Sequence, residues 1–262
     1  MMTEKPIQER VTGKLKAGVY KSRREMGAAA AAFVTEELVT LLKQKDKVRI
    51  VVGSAPSQDE FFAELTKPEN CDRVDWSKVE VFHMDEYIGL PASHEQSFRK
   101  YQQDHFLKFV SVKAFHEIHG ECADRDAECE RLNKLLGESP IDLVCLGFGE
   151  NGHLAFNDPP ARFDEPQWTK VVELDQACRQ QQVNDGCFAC IEEVPTHAIT
   201  LSLRVFASAG CLSGVIPSQT KADAVAAAIQ GPIGQHCPAT LCRLHPKVQL
   251  FLDPASASKL NW

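Results

Sequence analysis

The sequence predicts an α/β fold, a doubly wound and mostly parallel sheet with helices on both faces, in a single domain over 1–262. Three observations carry this. Short apolar runs at Val48 to Val52, Val79 to His83 and Ile141 to Leu146 suit strands covered on both sides. Helix-forming stretches separate them, as parallel strands require. The first run ends in a serine-containing loop and the third in a glycine-rich bend, at the strand ends where open parallel sheets hold ligands.

In chain order, Arg24 to Lys43 reads as a helix, with Ala28 to Ala32 favouring it and Phe33, Val34, Leu38, Val39, Leu41 and Leu42 supplying an apolar face. The strand Val48 to Val52 then leads into Gly53-Ser54-Ala55-Pro56-Ser57-Gln58. Ser57 followed three residues later by Glu60 fits a capping box, so a helix is expected from Asp59 to Leu65. Strand, tight loop and helix start make an anion site by geometry, because unpaired amides and the helix dipole point at the loop; an ordinary strand-to-helix turn fits the same residues. Val79 to His83 delivers the adjacent carboxylates Asp85 and Glu86 just beyond a buried strand. Gln96 to Phe109 and Asp124 to Leu136 read as helices.

Ile141 to Leu146 breaks into Gly147, Gly149 and Gly152 and presents His153, Asn157 and Asp158. The bend spells G-x-G-x-x-G, but a dinucleotide fingerprint must open a long helix, and Pro159-Pro160 opposes one here. Lys170 to Leu174 is expected to be extended, and Cys178 to Gln182 to form a substrate-facing turn or an exposed helix. Ala198 to Leu203 and Cys211 to Ile216 read as strands. The latter ends in Pro217-Ser218-Gln219-Thr220-Lys221 before a helix over Ala222 to Ile229, and Val248 to Leu252 is a last strand. A lysine in a helix's first turn opposes the dipole, so a bound anion would account for Lys221; so would an ordinary surface position.

The composition, 44% hydrophobic and 25% charged, is that of a packed globular protein. A net charge of −7 without a basic block argues against nucleic acid. The first residues lack the apolar core of a secretory signal, and no run is long enough to span a bilayer, so a cytoplasmic protein is expected. The 10 cysteines are scattered and expected to be thiols. Cys187-Phe-Ala-Cys190 has no second pair, and His116-Glu-Ile-His119 lies in what reads as a short strand ending at Gly120, so neither argues for a metal.

F-H-M-D-E-Y-I-G-L-P at 82 to 91 and G-F-G-E-N-G-H-L-A-F-N-D-P at 147 to 159 resemble paired segments of the glucosamine-6-phosphate deaminase family. V-P-T-H-A-I-T-L at 194 to 201 and the lysine after Ser218-Gln219 extend the similarity over nearly the whole chain. The related 6-phosphogluconolactonases carry a G-D-E-R type sequence where this chain has Met84-Asp85-Glu86-Tyr87. The resemblance implies an aldose–ketose isomerising deaminase acting on glucosamine or galactosamine 6-phosphate. Asp85 would be the enolising base, His153 the ring-opening acid/base, Asp158 its orienting partner, and Lys221 the holder of the phosphate. Asn151 joins this catalytic group, and Ser54, Ala55, Ser57, Glu86, Gly152 and Gln182 are further substrate-binding candidates. No metal or organic cofactor is implied, the expected partner is a small sugar phosphate, and a homo-oligomer is compatible with the resemblance.

Four departures bear on the chemistry. Asn151 stands where the family has Asp, which removes a carboxylate that would favour a charged imidazole. Asp158 replaces Glu, Pro56 offers no N–H in the phosphate loop, and Gln182 falls near the family's substrate-contacting arginine. A lactonase-like hydrolase, in which neutral His153 activates water, and a non-catalytic sugar-phosphate sensor therefore stand as alternatives.

Overall fold

A computed structural model describes residues 4–261. The chain runs through β1 (Gln8–Thr12), β2 (Leu15–Val19), α1 (Arg23–Leu42), β3 (Val48–Val52), α2 (Asp59–Leu65), α3 (Pro68–Cys71), β4 (Val79–His83) and β5 (Asp85–Tyr87). It continues with α4 (Phe98–His105), β6 (Ala114–His116), α5 (Arg125–Gly137), β7 (Leu143–Leu146), β8 (Thr169–Glu173) and α6 (Gln176–Asn184). The last elements are β9 (His197–Leu201), α7 (Leu203–Ser208), β10 (Leu212–Ile216), α8 (Ala222–Gln230) and β11 (Val248–Leu252).

Eight strands form one sheet in the order β1-β2-β11-β10-β7-β3-β4-β6, parallel throughout except for the β1–β2 hairpin at one edge. Alternate residues feed two cores. Val48, Ile50, Val52, Leu143 and Cys145 pack with α1 and α2, while Val51, Val144 and Leu146 pack on the other side with α7 and α8. Burial on both faces explains why these strands read as continuous apolar runs.

After β3 the chain builds outward through β4 to β6, then returns to the other side of β3 as β7 and builds through β10 to β11. The carboxyl ends of β3 and β7 therefore lie side by side while their following loops diverge. Such a reversal of strand order opens a crevice.

Several expectations shift. The hairpin β1–β2 went unread; it turns at Gly13, whose φ of +63° suits glycine. The capping box does not form. Pro56 starts a 3₁₀ turn over Pro56–Gln58, Gln58 takes the position before α2, and Glu60 is held instead by Arg23 at 2.8 Å. The helix expected from Gln96 starts at Phe98 and gives way to a 3₁₀ turn over Leu107–Phe109, and the strand expected to reach Gly120 stops at His116. A separate antiparallel sheet, β5-β9-β8, carries Asp85 at its start. Among the described residues no helix is long and apolar enough to cross a membrane.

Candidate active site

Loops after β3, β4, β7 and β10 meet at the crevice and enclose a cavity of about 330 Å³, a size suited to a small molecule. Ser54, Ala55, Ser57, Asp85, His153, Gln182 and Lys221 all line it. These sequence candidates come from the segments after β3, β7 and β10, from the start of β5 and from the helix α6, and are brought together by the reversal of strand order.

The glycine bend positions the imidazole. Gly149 donates to the His153 carbonyl at 3.0 Å, and a Cβ on Gly149 would lie 2.2–2.4 Å from the imidazole ring atoms. Only glycine leaves the ring that space. Gly152 adopts φ +83° and packs against Cys237, so it makes the turn rather than lining the cavity. Behind the ring, His153 Nδ1 lies 2.8 Å from Asp158 Oδ1. The Asn151 amide donates to the same oxygen at 2.9 Å, and its carbonyl oxygen accepts from the His153 N–H at 3.0 Å. Asn151 and Asp158 thus hold the imidazole from outside the cavity. Asn157 is buried and donates to the Leu154 and Leu201 carbonyls, fastening the bend to β9.

Glu86, expected to touch the substrate, does not line the cavity. It is fully buried and turned toward the start of α4. Its carboxylate accepts from the N–H groups of Tyr87, Phe98 and Arg99, from the Ser97 hydroxyl and from Arg99 Nε, at 2.8–3.2 Å. Arg99 in turn reaches Glu121 at 2.7 Å.

Residues 21–251 match the family described as glucosamine-6-phosphate isomerases/6-phosphogluconolactonase. Glucosamine-6-phosphate deaminases of Bacillus cereus and Bacillus thuringiensis are each 32% identical over 240 residues, covering 92% of this chain and 87% of theirs. The chain belongs to the glucosamine-6-phosphate isomerase/6-phosphogluconolactonase family. Its fold matches a monomeric glucosamine-6-phosphate deaminase with a TM-score of 0.84 at 24% identity, over 93% of this chain and 99% of that one. It matches the 6-phosphogluconolactonase of Trypanosoma brucei with a TM-score of 0.76 at 16% identity, over 97% and 100% of the two chains.

Within this family fold, the electrostatics of the cavity are uneven. Asp85 is 7% exposed, and among the described residues its carboxylate accepts no hydrogen bond. Burial, and then the neighbouring charge of Glu86, push it well above the ordinary aspartate value. Burial would also raise Asp158, but the hydrogen bond and charge of His153, with help from Asn151, outweigh it and hold that carboxyl low. Lys221 is 5% exposed, and among the described residues its ammonium has no hydrogen-bond or ion-pair partner. Burial lowers its pKa, against the pull of Asp185 and Glu150. The other cavity cation, Arg23, is engaged by Glu60 and the Pro56 carbonyl.

Further residues, two of them within the Cys178 to Gln182 stretch, lie at or behind the cavity wall. Cys178 and Gln181 lie on α6, where a turn or an exposed helix was expected. Gln181 is buried and accepts from the Glu150 N–H at 2.9 Å, tying α6 to the glycine bend. Gln58 donates to the Val215 carbonyl, joining the loop after β3 to the end of β10. Only the stretch Cys178 to Gln182, and not the partners of its individual residues or of Gln58, was legible, because an isolated glutamine or cysteine carries no signal for what it binds.

Proposed function

We propose that the protein is an aldose–ketose isomerising deaminase that converts a hexosamine 6-phosphate, glucosamine or galactosamine 6-phosphate, to a ketohexose 6-phosphate and ammonia. One observation carries the reading. Among the described residues, a buried carboxylate without hydrogen bonds, an imidazole backed by a carboxylate, and a buried lysine without a partner face one cavity.

Each group suits one step. His153, oriented by Asp158, exchanges a proton with the ring oxygen and opens the pyranose. Asp85 removes the proton from C2 of the open-chain sugar. The electrons form the enolamine, and protonation at C1 gives an imine at C2 that water hydrolyses, releasing ammonia. A desolvated carboxylate is a stronger base than one in water, which favours abstraction beside a weakly acidic carbon. The phosphate sits against Lys221, whose buried charge gains a counterion on binding, with Ser54 and Ser57 as further donors.

The 32% identity to glucosamine-6-phosphate deaminases and the M-D-E-Y segment support a deaminase over a lactonase. The test is Asp85→Asn assayed with both hexosamine phosphates and with 6-phosphogluconolactone. Ammonia release should disappear while sugar-phosphate binding survives. An active Asp85→Asn enzyme overturns the assignment, and acid release from the lactone by the wild-type protein, without ammonia from either amino sugar, replaces it with the hydrolase.

A further inference from the structure

Behind the cavity wall, the His153–Asp158 pair has a third neighbour that the proposed chemistry does not use. Cys178 lies in the first turn of α6, fixed there by Asp175, whose carboxylate accepts from the Cys178 N–H at 2.6 Å. It is 1% exposed, and a nitrogen of His153, a carboxylate oxygen of Asp158 and the Cys178 sulfur lie within 4.8 Å of one another. Two ligands of one tetrahedral zinc ion lie about 3.3–3.7 Å apart, given metal–ligand bonds of about 2.0–2.3 Å. Closing this triangle on an ion takes a movement of about 1 Å.

We propose that His153, Asp158 and Cys178 form an inhibitory site for a thiophilic divalent cation, zinc or cobalt in character, that enters through the cavity. The donor set is imidazole, carboxylate and thiolate, which suits those ions and not the all-oxygen preference of magnesium or calcium. Three protein ligands leave a fourth position open, as in exchangeable rather than closed structural sites. His153 lines the cavity and so gives the ion its path.

Coordination changes the proton inventory in a defined way. The thiol releases its proton to solvent and binds as thiolate. The ion takes the Nδ1 lone pair, so a neutral imidazole carries its hydrogen on Nε2, and an imidazolium loses one further proton. Either way the ring has no free lone pair, and it loses its role as proton acceptor. The ion also replaces the hydrogen bond through which Asp158 orients the ring.

The test reads the metal and not turnover, so it stands apart from the identity of the substrate. The full chain, cleared with a chelator, is titrated with cobalt(II). The expected result is one equivalent bound with a thiolate-to-cobalt charge-transfer band, displaced by zinc. Cys178→Ala and Cys178→Ser should each lose the band and weaken zinc binding by more than about 100-fold, beyond the 10–100-fold cost of losing an outer-shell partner. Cys190→Ser, which alters the exposed half of the C-x-x-C pair, should keep both. The proposal is overturned if the wild-type chain shows no such band, if the band persists in either Cys178 variant, or if Cys190→Ser abolishes it.

Discussion

Replacing Glu86 by glutamine tests whether this carboxylate is a structural anchor beside the proposed base, Asp85. The substitution conserves volume but turns one acceptor oxygen into an NH₂ donor. One oxygen of Glu86 serves the Tyr87 and Phe98 N–H groups at 3.0 and 3.1 Å; the other serves Ser97 Oγ, Arg99 N and Arg99 Nε. In either orientation of the amide, at least two donors then meet a donor. A buried group left unsatisfied costs about 1–3 kcal/mol, so the gross loss is about 2–6 kcal/mol. Two effects offset it. Burial already raises the Glu86 carboxyl, so removing its charge relieves desolvation, and Arg99 keeps Glu121. A net loss of about 3 kcal/mol follows, which for a chain of this size lowers the melting temperature by about 6–12 °C. Thermal and urea unfolding of Glu86→Gln should agree, with the midpoint falling and the urea slope unchanged. Glu121→Gln, at a half-exposed partner, should cost less than about 1 kcal/mol. A Glu86→Gln protein that melts within about 2 °C of wild type would refute the charged-anchor reading.

Asp85→Asn should stabilise the fold even as it removes activity. Because burial and Glu86 raise the Asp85 carboxyl, its ionised form costs stability above the raised folded-state pKa and costs nothing below the ordinary aspartate value. The variant should therefore melt higher than wild type at neutral pH, with the gap closing as pH falls into the ordinary aspartate range; equal melting temperatures at neutral pH would contradict this. Gln182→Arg adds a second free cation to the lining and should lower KM for the sugar phosphate about tenfold, the size of one charge-assisted hydrogen bond, with little change in kcat. An unchanged KM would place the phosphate elsewhere. Gly149→Ala forces a methyl into the imidazole position and should lower kcat by about 100-fold or more, the range of a lost acid/base group. A folded Gly149→Ala enzyme with undiminished kcat would show that His153 need not occupy this place.

The parallel core was legible because its strands are buried on both faces and therefore carry mostly apolar letters, broken in β3 only by Arg49 and in β4 by Glu80 and His83. β3, β4 and β7 are such strands, and the prolines after Asp158 removed the competing dinucleotide reading. The edge hairpin was not legible, because β1 is largely exposed and Gln8 to Thr12 has too few apolar residues to stand out. The β5-β9-β8 sheet was hidden for a different reason. β5 spans only Asp85–Tyr87, and its pairing with β9 joins segments more than a hundred residues apart, a contact that no local pattern encodes.

The same distinction separates the candidate residues that line the cavity from those that do not. Asp85, His153 and Lys221 each follow a strand, and strand ends at a reversal of strand order converge whatever their side chains do, so position alone pointed at them. Glu86 also follows a strand, but alternation along β5 sends successive side chains to opposite sides. Asp85 therefore enters the cavity, and Glu86 turns back to hold the start of α4. Its charge still reaches the site, because two carboxylates on adjacent residues share one buried region and the second helps to raise the first. The adjacent pair Asp85-Glu86 thus divides into a proposed base and an anchor. Keeping Asp85 unpaired while Glu86 takes five donors places the cost of a buried charge on the residue proposed to use it.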